Sequence, residues 1–182
     1  LATREEAKAF SELELMTADP ITVVMSDKGW IRAAKGHDID PSTLNYKAGD
    51  SYLSSAHGKS NQQALFLDSR GRSYSLPAHT LPSARGQGEP LTGRLSPTDG
   101  AQFTHVVMGA DEQPCLIASD AGYGFVTRLS NLQAKNKAGK SLLNLSKGAC
   151  PMSPILFSQT DDLVAAVTIE GRLLVFPVAE LP

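Results

Sequence analysis

The chain has little cysteine and no long apolar run, and both shortages narrow the class of protein. Cys115 and Cys150 are its only cysteines, and they show no metal-ligand spacing. The longest apolar run, 163–169, is far shorter than the ~20 residues that a membrane-spanning helix needs. The sequence opens on a charged, Ala-rich stretch instead of an apolar one. A reduced, cytoplasmic protein is therefore expected.

Motifs that carry catalysis are also missing. The sequence has no G-x-S-x-G elbow, no P-loop and no complete dinucleotide fingerprint. Its four histidines are dispersed, and only His37-Asp38 sets a carboxylate beside an imidazole. Neighbours on a strand point to opposite faces, so this pair is poorly placed for general base catalysis. The sequence predicts a non-catalytic domain that holds no metal, cofactor or small-molecule substrate.

Net charge is small but unevenly distributed. The chain carries a formal charge of −2. Residues 119–148 hold five basic side chains and one acidic side chain, whereas 1–19 and 149–182 are each net −3. A local basic stripe can bind phosphates even on an acidic domain. The charge pattern is therefore compatible with a nucleic-acid partner.

The first residues and the rest of the chain have different patterns. Thr3 and Glu6 form a candidate capping box, and Asp19-Pro20 ends the helical pattern, so we expect a helix over 1–18. Residues 1–19 are thus predicted to be a linker helix outside the main domain, 20–182. In that domain, glycine and proline are spread between short apolar runs, which favours many turns and short strands.

Four runs of the main domain share one layout, in which an apolar strand, a polar turn with a glycine and a second strand follow each other. Gly29, Gly71, Gly122 and Gly171 occupy the turns. A repeat of 40–50 residues is typical of propeller blades, and the Leu81-Pro82 corner of the second repeat recurs at Leu181-Pro182. The alternative is a β-sandwich with coincidental hairpins. The predicted repeats are 20–60, 61–105, 106–148 and 149–182, or 3.5 to 4 blades of a longer protein.

A basic, glycine-bearing loop follows the hairpin in three repeats, at 32–37, 83–88 and 134–140. Long cations beside glycine suit close approach to a phosphodiester backbone. The alternative is that these loops are merely solvated, on a propeller scaffold that binds protein. The predicted DNA contacts are Arg32, Lys35, Arg70, Arg72, Arg85, Arg94, Arg128, Lys135, Lys137 and Lys140.

Five segments of the repeats are specific enough to compare with known families. The most specific segment is 81–93, and shorter ones lie at 34–38, 44–50, 118–125 and 136–140. In the sequence they read Leu81-Pro82-Ser83-Ala84-Arg85-Gly86-Gln87-Gly88-Glu89-Pro90-Leu91-Thr92-Gly93, Ala34-Lys35-Gly36-His37-Asp38, Leu44-Asn45-Tyr46-Lys47-Ala48-Gly49-Asp50, Ala118-Ser119-Asp120-Ala121-Gly122-Tyr123-Gly124-Phe125 and Asn136-Lys137-Ala138-Gly139-Lys140. These segments resemble one family, the C-terminal domain of the bacterial topoisomerase IV A subunit.

The resemblance implies an all-β, propeller-like β-pinwheel of four-stranded blades that exchange an outer strand with their neighbours. It implies sequence-independent binding and bending of double-stranded DNA, which is presented to a type IIA topoisomerase for decatenation and supercoil relaxation. The parent would use ATP and Mg²⁺ in other domains and would assemble with the ATPase B subunit, besides the remainder of its own A subunit. A nucleoid-associated location, with the parent peripheral to the inner membrane, is also implied. The gyrase-type basic box is missing from 1–182, so gyrase-type wrapping is not expected.

Overall fold

The computed structural model of the protein describes residues 17–158 and 163–182. These residues form β-strands and short 3₁₀ turns, and no described segment is a helix that could cross a membrane. The helix predicted over 1–18 lies outside the described residues except at 17–18, which have no regular structure. The strands are β1 Pro20–Ser26, β2 Trp30–Lys35, β3 Tyr52–Lys59, β4 Gln63–Asp68, β5 Arg72–Pro77, β6 Glu89–Pro90, β7 Phe103–Val107, β8 Pro114–Ala118, β9 Gly124–Arg128, β10 Lys140–Ser141, β11 Ile155–Leu156, β12 Leu163–Val167 and β13 Leu173–Pro177.

The described strands form four antiparallel sheets, one for each predicted hairpin. Their orders are β3-β1-β2-β6, β10-β5-β4-β7, β11-β8-β9 and β12-β13. In the first two sheets the outer strand comes from the following repeat, because β6 pairs with β2 and β10 pairs with β5. This exchange confirms the β-pinwheel architecture that the family resemblance implied.

All four hairpin turns close in the same way. Each turn glycine has a positive φ, between 76° and 83°. Each also donates its backbone N–H to the carbonyl three residues earlier, at Ser26, Asp68, Ser119 or Thr168. Glycine reaches this backbone conformation without the steric penalty that a Cβ brings. The repeat derived from these four glycines is therefore confirmed in three dimensions.

Strand β4 contributes to two hydrophobic cores through its opposite faces. Phe66 packs into the core between the first and second sheets, together with Val23, Tyr74 and Phe103. Successive side chains on a strand alternate in direction, and Leu65 and Leu67 accordingly enter the second core, which includes Cys115 and Ile117 of β8. Burial raises the pKa of the Cys115 thiol to about 11, so that side chain remains protonated and apolar. The first three blades are thus joined by continuous apolar packing.

The observed strand pairing shifts two of the predicted repeat boundaries. Strand β7 continues to Val107, beyond the boundary predicted after 105. Ile155 and Leu156 fall in the predicted fourth repeat, 149–182, yet they pair with Leu116 and Cys115 of the third sheet. The boundaries differ because each of the first three sheets includes a strand that follows its hairpin at a long interval, and hairpin spacing alone does not locate that strand.

Candidate nucleic-acid interface

The second glycine loop, 83–88, lies against strand β2 of the preceding repeat. Ala33 donates its N–H to the Pro82 carbonyl at 2.8 Å, and Ala84 donates to the Ala33 carbonyl at 2.9 Å. At the end of the loop, Gly88 has φ +86°, and a Cβ there would lie 2.3 Å from the Ile31 carbonyl oxygen. Glycine is therefore required where this loop enters the exchanged strand β6.

Arg32 was predicted to be an exposed loop cation, and this placement is wrong. The segment 30–35 is strand β2, and Arg32 is only 3% exposed. Its Nη1 donates to the Gly86 carbonyl at 2.9 Å, and its guanidinium lies 4.7 Å from the centre of the Tyr46 ring. Burial raises the pKa of Tyr46, and the neighbouring Arg32 opposes that rise. Arg32 therefore holds the next repeat's loop instead of projecting from its own.

A groove separates the second glycine loop from the 39–45 segment of the first repeat. Its two connected parts have volumes of about 270 and 540 Å³. Arg85 lines both parts, Arg32 lines the smaller one and Lys35 lines the larger one. No Asp or Glu is among the residues that line either part. Cations from two repeats thus meet in one groove, although they are far apart in sequence.

The third glycine loop, 134–140, is held in a related way by Arg72 of β5. Arg72 donates from Nε to the Ala138 carbonyl at 3.1 Å and from Nη2 to the Gly139 carbonyl at 2.9 Å. Ser75 donates its hydroxyl to the Ala134 carbonyl and accepts the Ala134 N–H. Arg72, like Arg32, has its donors directed at a loop backbone, which differs from the direct phosphate contact predicted for it.

The other eight predicted cations are not equally available. Lys35, Arg85, Lys135 and Lys137 are exposed, and within the described residues their side chains have no hydrogen-bond or ion-pair partner. The other four side chains each have a partner: Arg70 donates to the Asp99 carbonyl, Lys140 donates to the Asn131 carbonyl, Arg94 pairs with Glu89 and Arg128 pairs with Glu112.

One cation near the interface was not among the predicted contacts. The Lys47 ammonium lies 3.4 Å from the centre of the Trp30 ring, which is a favourable cation–π position. Trp30 belongs to β2 and pairs with Pro90 of the exchanged strand. The signal available in the sequence was the lone tryptophan beside a turn glycine. Among the described residues, no three His, Cys, Asp or Glu side chains form a group that could hold a metal.

Comparison with known proteins identifies the family. No family model matches the chain. The A subunit of DNA topoisomerase 4 from Pseudomonas aeruginosa is 58% identical over all of this chain, which covers 24% of that protein. The solved structure of the Escherichia coli ParC C-terminal domain is 53% identical with a TM-score of 0.84, over 91% of this chain and 67% of that one. The chain belongs to the topoisomerase IV A-subunit family.

Membership in this family confirms the resemblance that the glycine loops carried. The gyrase A C-terminal domain, at 18% identity, has a TM-score of 0.66 over 91% of this chain and 58% of that one, so it supports the fold alone. The chain spans about a quarter of the length of the curated topoisomerase IV relatives that it matches. The part of the family that this chain represents is therefore the β-pinwheel domain.

Proposed function

We propose that this domain binds double-stranded DNA through phosphate contacts, without reading sequence. One observation carries the proposal: among the ten predicted contacts, the four side chains without a partner in the described residues, Lys35, Arg85, Lys135 and Lys137, all lie on or beside the glycine loops. Cations without intramolecular partners can neutralise phosphates and release counterions, which favours binding to any sequence. In this proposal the domain also bends the bound duplex, so that loops on successive blades can contact it together.

The full-length protein acts, in this proposal, as a type IIA topoisomerase. Its pinwheel presents a bent DNA segment for ATP-dependent strand passage in decatenation and supercoil relaxation. The catalytic and ATPase machinery, with its Mg²⁺, lies in the partner B subunit and in the remainder of the A subunit. Such an enzyme works on the nucleoid. The family relationship supports these assignments, and the free cations of the pinwheel fit the DNA-presenting role.

The experiment is a titration of labelled duplexes of two unrelated sequences at two salt concentrations. The two sequences should bind equally, and affinity should fall steeply with salt, with a log–log slope of about −0.9 for each phosphate neutralised. Arg85→Glu and Lys137→Glu should each weaken binding about tenfold or more without changing thermal stability. Arg172→Glu, on the exposed hairpin of the last repeat, is the matched control and should bind as the unmodified chain does.

Bending is tested separately, by energy transfer between dyes at the two ends of a short duplex. Smooth bending of a 20–30 base-pair site by 40–90° costs about 1–6 kcal/mol, which loop contacts must offset. Transfer should therefore increase on binding and should decline in the two loop variants. A flat salt response, or a strong preference for one sequence, would contradict the phosphate-contact model. Absence of duplex binding would favour a protein-binding scaffold instead.

A further inference from the structure

Arg32 is a buried cation without an ionic partner. It is 3% exposed, and no carboxylate forms an ion pair with it within the described residues. Its Nη1 bonds to the Gly86 carbonyl, but its Nη2 is buried without any hydrogen-bond partner in the described part of the chain. Buried charges in proteins are normally paired, since an unpaired one loses its hydration without compensation. A guanidinium left in this state points to an anion supplied from outside the chain.

The arginine lines a cavity that could accommodate an anion. The smaller part of the groove has a volume of about 270 Å³ and is lined by Arg32, Asn45, Arg85 and Gln87, among others. A water molecule occupies about 30 Å³ in the liquid, so a phosphate group fits with several waters. The lining provides guanidinium, amide and hydroxyl donors but no carboxylate. Its chemistry therefore selects for an oxyanion.

The guanidinium is also fixed in place. Tyr46 lies against it at 4.7 Å, and Gly86 accepts one of its hydrogen bonds. Since Gly86 belongs to the loop that carries Arg85, the buried and the exposed cations are joined through the loop backbone. Charge in a low-dielectric site is less screened by water and salt than charge on an open surface. The buried Arg32 thus raises the positive potential of the groove without direct exposure.

We propose that the groove between the 43–45 segment and the second glycine loop is a specific phosphate site, which holds one backbone phosphate of the bound DNA. Arg85 and Asn45 donate to the phosphate directly, and Arg32 acts from beneath as a fixed positive charge. The inference rests on the proposed function and deepens it, because it distinguishes one site between two blades from a uniformly basic rim. Free inorganic phosphate has the same chemistry and serves as the probe.

The test uses the 182-residue chain and the Arg32→Met variant. Methionine keeps an unbranched, flexible side chain at a buried position and removes the charge. Duplex binding should weaken about tenfold, because the groove loses a fixed positive charge in a low-dielectric site. Thermal stability should stay nearly level, since relief of the buried charge's desolvation offsets the loss of the hydrogen bond to Gly86. Arg172→Met, the same substitution at an exposed hairpin, should leave binding unchanged. Affinity retained in Arg32→Met would overturn the inference.

A second experiment measures phosphate binding to the groove in the absence of DNA. In ¹⁵N-labelled protein, inorganic phosphate should shift the amide signals of Asn45 and Gln87 saturably, whereas chloride at equal ionic strength should not. The shifts should be lost in Arg32→Met and weakened in Asn45→Leu, where the exposed position tolerates substitution. Linear shifts spread over every basic residue, or unchanged saturation in both variants, would overturn the site. This arm remains informative if Arg32→Met fails to fold, because Asn45→Leu and the unmodified chain suffice.

The two measurements together show whether the groove binds a phosphate of the DNA backbone or only free phosphate. They also separate failure of the phosphate site from failure of the proposed function. Duplex DNA should shift the same two amides and should compete with inorganic phosphate. Saturable phosphate binding without any effect of duplex on those amides would exclude the backbone as the ligand. If duplex binds and the groove variants bind it normally, the site is refuted and the proposed function stands. If the unmodified chain fails to bind duplex at all, the proposed function itself fails.

Discussion

The second and third glycine loops are both attached to the preceding blade by an arginine, but through different contacts. Both cross from one blade to the previous one, and both are held by an arginine on the second strand of that blade's hairpin, β2 or β5. Arg32 is buried and makes one bond to the second loop, at Gly86. Arg72 is half-buried and makes two bonds to the third loop, at Ala138 and Gly139. In each case the cation on the strand positions the backbone. Arg85, Lys135 and Lys137 on the loops remain free, whereas Lys140 donates to the Asn131 carbonyl.

This comparison separates two roles that one residue type can play. An arginine in a strand is fixed by its neighbours and can direct several donors at carbonyl groups. A lysine or arginine within a glycine loop has few neighbours and retains its charge for a ligand. The second loop depends on burial to hold its arginine, whereas the third depends on a bidentate contact. Substitutions that change burial without changing hydrogen bonding, or the reverse, are therefore expected to affect the two loops differently.

The largest expected effect is on stability, at the glycines that close the two loops. Gly88→Ala would place a Cβ 2.3 Å from the Ile31 carbonyl oxygen, and Gly139→Ala would place one 2.6 Å from the Tyr74 ring. Positive φ and steric overlap together should cost about 2–5 kcal/mol of unfolding free energy in chemical denaturation. Gly36→Ala, also at positive φ but with open space around it, is the control and should cost only about 1–2 kcal/mol. Equal losses at all three positions would contradict the close-approach argument.

The second-largest expected effect is a loss of duplex affinity on substitution of Arg72. Lysine preserves the charge but has a single nitrogen, so it cannot reproduce two parallel bonds to Ala138 and Gly139. Arg72→Lys and Arg72→Met should therefore weaken duplex binding similarly, about three- to tenfold in a titration at fixed salt. Arg85→Lys, at an exposed position, should keep nearly full affinity. A normal affinity for Arg72→Lys alone would show that Arg72 contacts phosphate after all.

A smaller effect is expected from the free cations of each loop. Arg85→Gln and Lys137→Gln should each reduce the log–log salt slope of duplex binding by about 0.9. The two residues lie on different loops, so their effects on binding free energy should add in the double variant. A slope that the double variant leaves unchanged would show that neither loop contacts the duplex.

The smallest expected effect is on stability, at the position where the two loops begin and where their sequences differ. The second loop has Pro82 at the position where the third has Ala134, whose N–H donates to the Ser75 hydroxyl at 3.1 Å. Ala134→Pro removes that bond but stiffens the unfolded chain. The two contributions should nearly cancel, leaving a stability change within about 1 kcal/mol by thermal unfolding. A loss well above that would assign the Ser75 bond a larger role in anchoring the third loop.

The sequence predicted the repeat well because its signals were local. Turn glycines such as Gly29 and Gly71 require a positive φ that few other residues adopt, so their spacing marked the hairpins directly. The Leu81-Pro82 corner also proved equivalent to Leu181-Pro182, since Pro82 and Pro182 accept N–H bonds from Ala33 and Val126. Both signals depend on backbone conformation within a few residues.

The candidate site was predicted less completely because exposure depends on distant contacts. Arg32 and Lys35 lie in one basic segment, yet strand alternation and the next repeat's loop bury only Arg32. Nothing within that segment specifies which of the two is covered. Likewise, Lys47 meets Trp30 only because the intervening chain folds back. Local patterns identified where the cations lie, and tertiary packing determined which of them are free.

The exchanged strands also constrain how the domain can fold during its synthesis. Strand β2 is made early, but its partner β6 emerges roughly 60 residues later, an interval of about 3–12 s at 5–20 residues per second. Until then the edge of β2 presents unpaired backbone groups, which are a template for wrong pairing with other chains. The same delay recurs between β5 and β10. A nascent pinwheel therefore always leaves its newest blade unfinished, and its risk of misassembly on the ribosome follows from the same strand exchange that joins the blades in the folded domain.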